Sequence, residues 1–254
     1  MTSENSANSS PLIKPCSVTR FQHGPWSLVS SIGESESLGL LSEIDQRQVT
    51  YERVFRDNRR TLSARIATEH GAVLLKIPRA RNGRRWERIL TFFRGSDAVR
   101  SFFQLRQMQE MGFSAPYPLM ACEKRQSGFV VDAFLCYRFV EGRPAEAEDA
   151  GLVLDALRKL HRAGYLRTDA QRANFLIDDD QVVFIDFRLK RSRFFARLQQ
   201  ARELDRFIRS CPEAEGYLTR EEQASIWLRL AHRLENFSFS VREFKRVMRQ
   251  KKQN

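Results

Sequence analysis

The chain has 254 residues, of which 42% are hydrophobic and 29% are charged, an ordinary composition for a globular protein that is long enough to bury a core. Its formal net charge of +12 is unusual and predicts an anionic partner, such as nucleic acid, an anionic membrane face or a phosphorylated substrate, with a merely solvated basic surface as the alternative. Four scattered cysteines and the lack of a long uncharged apolar run exclude a disulfide framework, a zinc site, a signal peptide and a membrane span, so a cytoplasmic location is expected.

The amino-terminal half predicts a lead-in followed by strands. Residues 1–45 are rich in Ser, Asn and Glu with weak periodicity, which is typical of a flexible segment, with a short helix near residues 38–44. From Gln48 onwards, three apolar runs separated by turn residues predict three strands. The third strand, at residues 73–77, contains Lys76.

The remaining sequence predicts more helix than strand. Apolar residues at helical spacing predict helices at residues 96–111 and 149–162, and short apolar runs predict strands at 129–140, 175–177 and 182–185. The same spacing places the aromatic residues Phe102, Phe103, Phe194 and Phe195 in the core. The expected architecture is α+β, with a strand-rich part at residues 46–141, a hinge near 140–144 and a helical part at 142–254.

Three polar residues in the second part have the clearest chemistry. Asp169 and Asn174 stand in a predicted loop, and Asp186 follows an apolar strand. Phosphoryl transfer needs a carboxylate that orients the attacking hydroxyl, and an amide oxygen and a second carboxylate that hold Mg²⁺ on the phosphates. The three residues stand in the order in which protein kinases use these groups. By itself, the D-x-x-x-x-N spacing is equally explained by side chains that cap a loop.

A lysine inside an apolar strand strengthens this interpretation. Lys76 follows Val73, Leu74 and Leu75, where an ammonium group is costly to bury unless it meets an anion. The α- and β-phosphates of ATP would be that anion. The alternative is a lysine that extends to solvent from an edge strand.

At these positions the sequence resembles the kinase-like enzymes that phosphorylate heptose in the inner core of bacterial lipopolysaccharide, and in particular the heptose(II) kinases. The resemblance covers roughly residues 54–207. The matching residues are Val54, Phe55, Arg56, Thr61, Gly71, Leu75, Lys76, Leu160, His161, Gly164, Asp169, Asn174, Phe175, Ile185, Asp186, Lys190 and Arg191. Lys190 and Arg191 are the more specific feature, because ordinary protein kinases have glycine soon after the second aspartate.

The resemblance implies a two-lobed protein-kinase-like fold, with a small strand-rich N-lobe and a larger helical C-lobe, and ATP and Mg²⁺ as cofactors. It implies that Asp169 positions the acceptor hydroxyl as the catalytic residue, that Asn174 and Asp186 hold the metal, and that Lys76 holds the phosphates. The acceptor would be the nascent lipid A–core glycolipid.

The sequence departs from the kinase pattern at three places. Thr168 stands where glycine is common before the aspartate of the loop, and Arg167 stands before it in place of His or Ser. Asn58 and Arg59 stand where a glycine-rich phosphate loop is expected, so this turn would contact the nucleotide through backbone N–H groups and arginine. The helix at residues 96–111 has Ser101 where the acidic partner of Lys76 is expected, with Asp97 one turn away as a substitute. These departures also fit a catalytically degraded pseudokinase with a binding role.

The carboxy-terminal residues 241–252 predict a helix with an apolar side and a strongly basic side. Such a helix fits an anionic inner-membrane surface, or else a closing helix that packs on the C-lobe. The sequence therefore predicts an ATP-dependent heptose kinase of the lipopolysaccharide inner core, cytoplasmic or peripheral on the inner face of the inner membrane, without a nucleic-acid partner. A kinase for another acceptor (Kdo, a small metabolite or a protein) and a pseudokinase are the alternatives.

Overall fold

The computed structural model describes residues 17–69, 71–79 and 95–251, with the last part of the final helix described mainly as backbone. The chain divides into two compact units, Met1–Glu110 with Tyr117–Phe139, and Met111–Pro116 with Val140–Asn254. Residues 111–116 belong to the second unit because they contact Phe184 of that unit. The Phe113 ring contacts Phe184 edge-on at 5.9 Å, and the Ser114 carbonyl accepts the Phe184 N–H at 2.9 Å.

The first unit is built on a seven-stranded antiparallel sheet in the order β1-β2-β6-β7-β5-β4-β3. Its strands are β1 (Thr19–His23), β2 (Trp26–Ser30), β3 (Tyr51–Asp57), β4 (Thr61–Thr68), β5 (Gly71–Pro78), β6 (Pro118–Gln126) and β7 (Phe129–Arg138). The three strands expected after Gln48 are β3, β4 and β5, and they pair in chain order as tight turns require.

A helix covers each face of this sheet. Helix α1 (Glu34–Asp45) contributes Leu40, Leu41 and Ile44 to a buried cluster with Val73 and Leu75 of β5. Helix α2 (Asp97–Glu110) packs against β6 and β7 from the other side. Because side chains alternate along a strand, Lys76 faces the same side as α2, whereas Val73 and Leu75 face α1.

The prediction of a flexible lead-in up to residue 45 is wrong for the described residues from 19 onwards. Residues 19–45 form β1, β2 and α1, and Trp26 and Leu28 are buried. The serine-rich composition concealed this because the serines bond to one another: the buried hydroxyls of Ser30 and Ser37 lie 2.7 Å apart. Residues 1–16 lie outside the described part of the chain.

The second unit combines two small sheets with four helices. Its strands are β8 (Arg143–Pro144), β9 (Tyr165–Leu166), β10 (Phe175–Asp178), β11 (Gln181–Phe184) and β12 (Lys190–Arg191), in the orders β11-β10-β8 and β12-β9. Its helices are α3 (Ala150–Arg162), α4 (Ala196–Ser210), α5 (Arg220–Ala224) and α6 (Ile226–Lys251), with 3-10 turns at Arg172–Asn174 and Pro212–Tyr217. The rings of Phe175, Phe184 and Phe207 pack edge-on in its core, with centroids 5.5 and 5.7 Å apart.

Two expectations for the second unit need correction. Phe194 and Phe195 are not core residues: their side chains are exposed at 80% and 77% of their surface, because they lie in the link between β12 and α4 rather than on a helix face. The basic tail is not a separate helix either, since α6 begins at Ile226 and runs to Lys251. Most side chains of residues 241–252 lie outside the description. No helix in the described ranges is both long and apolar enough to cross a membrane.

Candidate active site

The loop between β9 and β10 holds Asp169 and Asn174 together. The side-chain amide Nδ2 of Asn174 donates to the carbonyl oxygen of Asp169 at 3.0 Å. The N–H of Gln171 donates to the same carbonyl at 2.9 Å, which closes a tight turn. The carboxylate of Asp169 itself stays half exposed, at 50% of its surface. The loop therefore orients its polar groups with backbone contacts and keeps the acid accessible.

The hairpin formed by β10 and β11 brings the second aspartate to the same place. The backbone N–H of Ile185 donates to the carbonyl of Asn174 at 3.2 Å, so that Asp186 follows directly beside the loop. Asp186 is exposed and has a φ of 47°, in the left-handed region that Asp tolerates better than most residues. The second unit thus brings together the three predicted residues Asp169, Asn174 and Asp186.

A buried arginine ties the loop to the hairpin. Arg167 is completely buried, and its guanidinium donates to the carbonyls of Asn174 at 3.1 Å and Ile185 at 2.9 Å. It also lies over the Phe175 ring, 4.3 Å from the centroid. Burial lowers the pKa of Arg167 to about 10, and the negative charges of nearby carboxylates, first of all Glu203, oppose this shift.

Helix α4 supplies the charges that complete this arrangement. Glu203 accepts the backbone N–H of Thr168 at 2.6 Å with one carboxylate oxygen, and its other oxygen lies 2.8 Å from His161 Nε2. One turn further along α4, Arg206 donates to the carbonyl of Thr168 at 2.8 Å and lies 3.8 Å from the Asp169 carboxylate. Thr168 has a φ of 75°, so these bonds hold the residue before Asp169 in a strained backbone conformation.

Sequence reasoning missed Glu203 and Arg206 as members of the site. They lie 35 and 38 positions after Thr168, the residue that they hold, and nothing in their sequence neighbourhood marks them. The one available signal was Arg167, which stands two positions before Asp169, where the kinase pattern has His or Ser. A buried arginine needs carbonyl or carboxylate partners, so its presence indicates a charged network around it.

Lys76 lies in the interior of the sheet of the first unit. Its strand β5 pairs with β4 on one side and β7 on the other, with Ser63 and Leu135 as its direct neighbours. The alternative of a lysine on an edge strand is therefore wrong. The two acidic residues of α2 contact arginines of that helix, Asp97 with Arg100 and Glu110 with Arg106.

Asn58 stabilises the turn between β3 and β4 through its own hydrogen bonds. Its side-chain oxygen accepts the N–H groups of Arg60 and Thr61 at 2.8 and 2.9 Å, and its own N–H donates to the Thr61 carbonyl at 3.1 Å. These donors are already used within the turn. Phosphate binding at this turn would accordingly depend on the exposed side chain of Arg59 rather than on a backbone cradle.

The donor atoms of the second unit fit a hard divalent cation. Because Nδ2 of Asn174 is bonded to Asp169, its amide oxygen is the atom left to bind a ligand. An amide oxygen and the exposed carboxylate of Asp186 are the ligand types that Mg²⁺ prefers.

Comparison with known proteins gives one family and one fold. The family model described as lipopolysaccharide core biosynthesis protein (WaaY) matches residues 26–213. No curated protein sequence matches the chain. Among solved structures, WaaP in complex with acyl carrier protein is similar over 81% of this chain and 88% of that chain, with 14% identity and a TM-score of 0.53. The Mycobacterium tuberculosis PknI kinase domain is similar over 65% of this chain and 75% of that domain, with 14% identity and a TM-score of 0.38.

The likeness to WaaP shows a shared fold, and the α+β, protein-kinase-like architecture predicted from the sequence is confirmed. The resemblance to lipopolysaccharide core kinases is confirmed as well, because the matched residues include the Asp169–Asn174 loop, the hairpin and Lys76. With the family model covering well over half of its length, this chain belongs to the WaaY family of lipopolysaccharide core biosynthesis proteins.

Proposed function

We propose that this chain is an ATP-dependent kinase that transfers a phosphoryl group to a heptose hydroxyl of the lipopolysaccharide inner core. The observation that carries the proposal is the hydrogen bond from Asn174 to the Asp169 carbonyl, together with the bond from Ile185 to Asn174. These two contacts join the Asp169–Asn174 loop to the residue before Asp186, which supports one shared site for the two carboxylates and the Asn174 amide oxygen. Membership of a lipopolysaccharide core biosynthesis family supports a core sugar as the acceptor.

Each residue has a defined role in this proposal. The half-exposed carboxylate of Asp169 accepts a hydrogen bond from the acceptor hydroxyl and takes its proton as the phosphoryl group transfers. Asn174 and Asp186 would hold Mg²⁺, which neutralises charge on the nucleotide phosphates. Lys76 would bind the α- and β-phosphates, and the exposed Arg59 would add a further cationic contact.

The test uses purified protein, MgATP and a core oligosaccharide that lacks phosphate. Wild type should add the mass of one phosphate to a heptose, as mass spectrometry of the product would show. Asp169→Asn should reduce turnover by roughly 10² to 10⁴, the usual contribution of a positioned general base. Asp178→Asn, which changes an exposed aspartate at the end of β10, is the matched control and should leave turnover unchanged.

Two results would redirect the proposal. Phosphorylation of Kdo, of a small metabolite or of protein side chains, with no transfer to heptose, would keep the kinase and change its acceptor. If MgATP neither stabilises the protein nor is turned over with any acceptor, the chain is a pseudokinase with a binding role.

We also propose an acyl carrier protein as a candidate partner, because the solved WaaP relative is in complex with one. Copurification of a tagged acyl carrier protein with this chain tests it. The same experiment without the tag is the control, and failure to copurify under low-salt conditions would remove this partner.

A further inference from the structure

The link between β12 and α4 exposes two adjacent phenylalanines. Phe194 and Phe195 are exposed at 80% and 77%, the highest values among the large apolar side chains that the structure describes. Single exposed apolar residues are common on protein surfaces. Two adjacent aromatic rings in a rim of charges are not, and such patches mark places where another surface binds.

The backbone that carries these rings is fixed at both ends. The Ser192 N–H donates to the Gly164 carbonyl at 2.8 Å, directly after the pairing of β12 with β9. On the other side, the Phe195 carbonyl accepts the Gln199 N–H at 3.0 Å, and the Phe194 carbonyl accepts Gln199 Nε2 at 2.6 Å. Both carbonyls are thus used to start α4, so the exposure of the two rings is a property of the fold.

The charged residues next to the pair in the sequence are all basic. Between Asp186 and Glu203 the charged residues are Arg188, Lys190, Arg191, Arg193, Arg197 and Arg202, without a single acid. Lys190, Arg191, Arg193 and Arg197 are all exposed. Within the described part of the chain none of these four forms an ion pair, so their charges are available to a partner.

We propose that this segment, Lys190–Arg197, docks the protein on an anionic phospholipid bilayer. The two rings would enter the boundary between headgroups and acyl chains, and the flanking cations would contact lipid phosphates. A bilayer matches both halves of this chemistry at once. A dissolved phosphate would satisfy the cations and leave the rings in water, and a neutral apolar groove would leave four cations without counter-charge.

The docking segment is connected to the candidate active site within the same unit. It begins four residues after Asp186, and β12 pairs with β9, whose next residues are Arg167, Thr168 and Asp169. Docking would therefore hold the catalytic loop close to the bilayer surface, where a sugar on a lipid carrier is presented. This consequence rests on the proposed function, whereas the bilayer contact does not.

The experiment measures binding of the full chain to vesicles, without nucleotide or acceptor, so that its result is independent of kinase activity. Wild type is sedimented with vesicles of phosphatidylethanolamine and phosphatidylglycerol, and with phosphatidylcholine alone. We expect binding to the anionic vesicles only, weakened by high salt. The double change Phe194→Ser with Phe195→Ser should weaken it by roughly tenfold or more, and Arg191→Gln with Arg193→Gln should weaken it and reduce its salt dependence.

The matched control is Phe237→Ser, which changes a single exposed ring, 70% exposed, on α6. It should bind like wild type. Phe194→Trp should in addition give a blue-shifted fluorescence that brominated anionic lipid quenches. All of these side chains are exposed, and thermal melting confirms that the variants remain folded.

Three results would overturn the proposal: equal binding of wild type to neutral and anionic vesicles, undiminished binding of the double serine variant, or equal loss in Phe237→Ser. Loss of a copurifying acyl carrier protein in the double serine variant, with vesicle binding intact, would assign the segment to that protein instead.

Discussion

Glu203 accepts the backbone N–H of Thr168 at 2.6 Å, and through this bond a helix late in the chain holds the residue that precedes Asp169. The other oxygen of the same carboxylate lies 2.8 Å from His161 at the end of α3. Glu203 therefore joins two helices to the candidate catalytic loop. It touches neither of the proposed metal ligands, so its effect on turnover would act through the position of Asp169.

We expect Glu203→Gln to lower turnover by roughly 10²-fold, because small displacements of a reacting group have effects of that size. The amide keeps one oxygen acceptor. It removes the negative charge that stabilises the buried guanidinium of Arg167. Stability should fall by about 1–3 kcal/mol, the cost of a disturbed buried hydrogen bond. Steady-state kinetics and urea unfolding measure the two effects.

Glu222→Gln is the control for this change. Glu222 bonds Arg158 at 2.6 Å and lies in α5, so the variant should lose stability with little change in turnover. A Glu203 variant that loses stability but turns over at the wild-type rate would show that the carboxylate has only a structural role.

Arg167→Lys should impair the proposed Mg²⁺ site more strongly than it lowers the stability of the fold. A single ammonium group cannot reproduce the two directed bonds of the guanidinium to the carbonyls of Asn174 and Ile185. We expect roughly 10²-fold lower turnover and a higher Mg²⁺ concentration at half-maximal rate. Titration with Mg²⁺ at fixed ATP measures the concentration at half-maximal rate. A change that only destabilises the fold would lower the amount of active protein and leave this concentration unchanged.

Lys76→Met should remove nucleotide binding and leave the fold intact. The lysine is half-buried on an interior strand, where a methionine of similar length fits without a charge to desolvate. MgATP at about 100 times its dissociation constant should stabilise wild type by about 2.7 kcal/mol. This stabilisation should vanish in the variant, as a thermal shift would show. An unchanged shift would take the phosphate-binding role away from Lys76.

The ion pair of Asp149 with Arg143 predicts an acid-sensitive contribution to stability. The guanidinium of Arg143 donates to both carboxylate oxygens, at 2.6 and 2.8 Å, and with the Glu146 N–H it holds the pKa of Asp149 below its usual range. A depressed pKa of the folded state means stabilisation that is fully present above the ordinary pKa of aspartate, about 4. It is lost as the pH falls through the depressed value.

Asp149→Asn should therefore lower the free energy of unfolding at neutral pH, by less than the loss of a fully buried ion pair would, because water can solvate the half-exposed Arg143. The difference in free energy of unfolding between wild type and the variant should stay constant down to about pH 4 and shrink below that pH. Urea unfolding of both proteins at neutral pH and at about pH 3 measures this difference. A gap between the two proteins that does not narrow in acid would mean that the Asp149 charge is not the source of the stabilisation.

The sequence by itself determined the elements whose signal is local. Strands β3, β4 and β5 follow from short runs between turn residues, and α2 follows from apolar residues at helical spacing. The order of Asp169, Asn174 and Asp186 was likewise visible, because a loop followed by a hairpin brings residues together that are close in the chain. The kinase-like fold class was expected from the family resemblance that these motifs carry.

Only the tertiary structure decided which faces are buried and which distant charges meet. Phe194 and Phe195 have an apolar pattern that predicts a core position, yet the β12–β9 pairing leaves both rings in water. Serine-rich residues that suggested a flexible lead-in form buried hydrogen bonds against the sheet. Glu203 reaches Thr168 across 35 positions of sequence. Burial and long-range pairing depend on where other elements pack, and local periodicity carries no information on that.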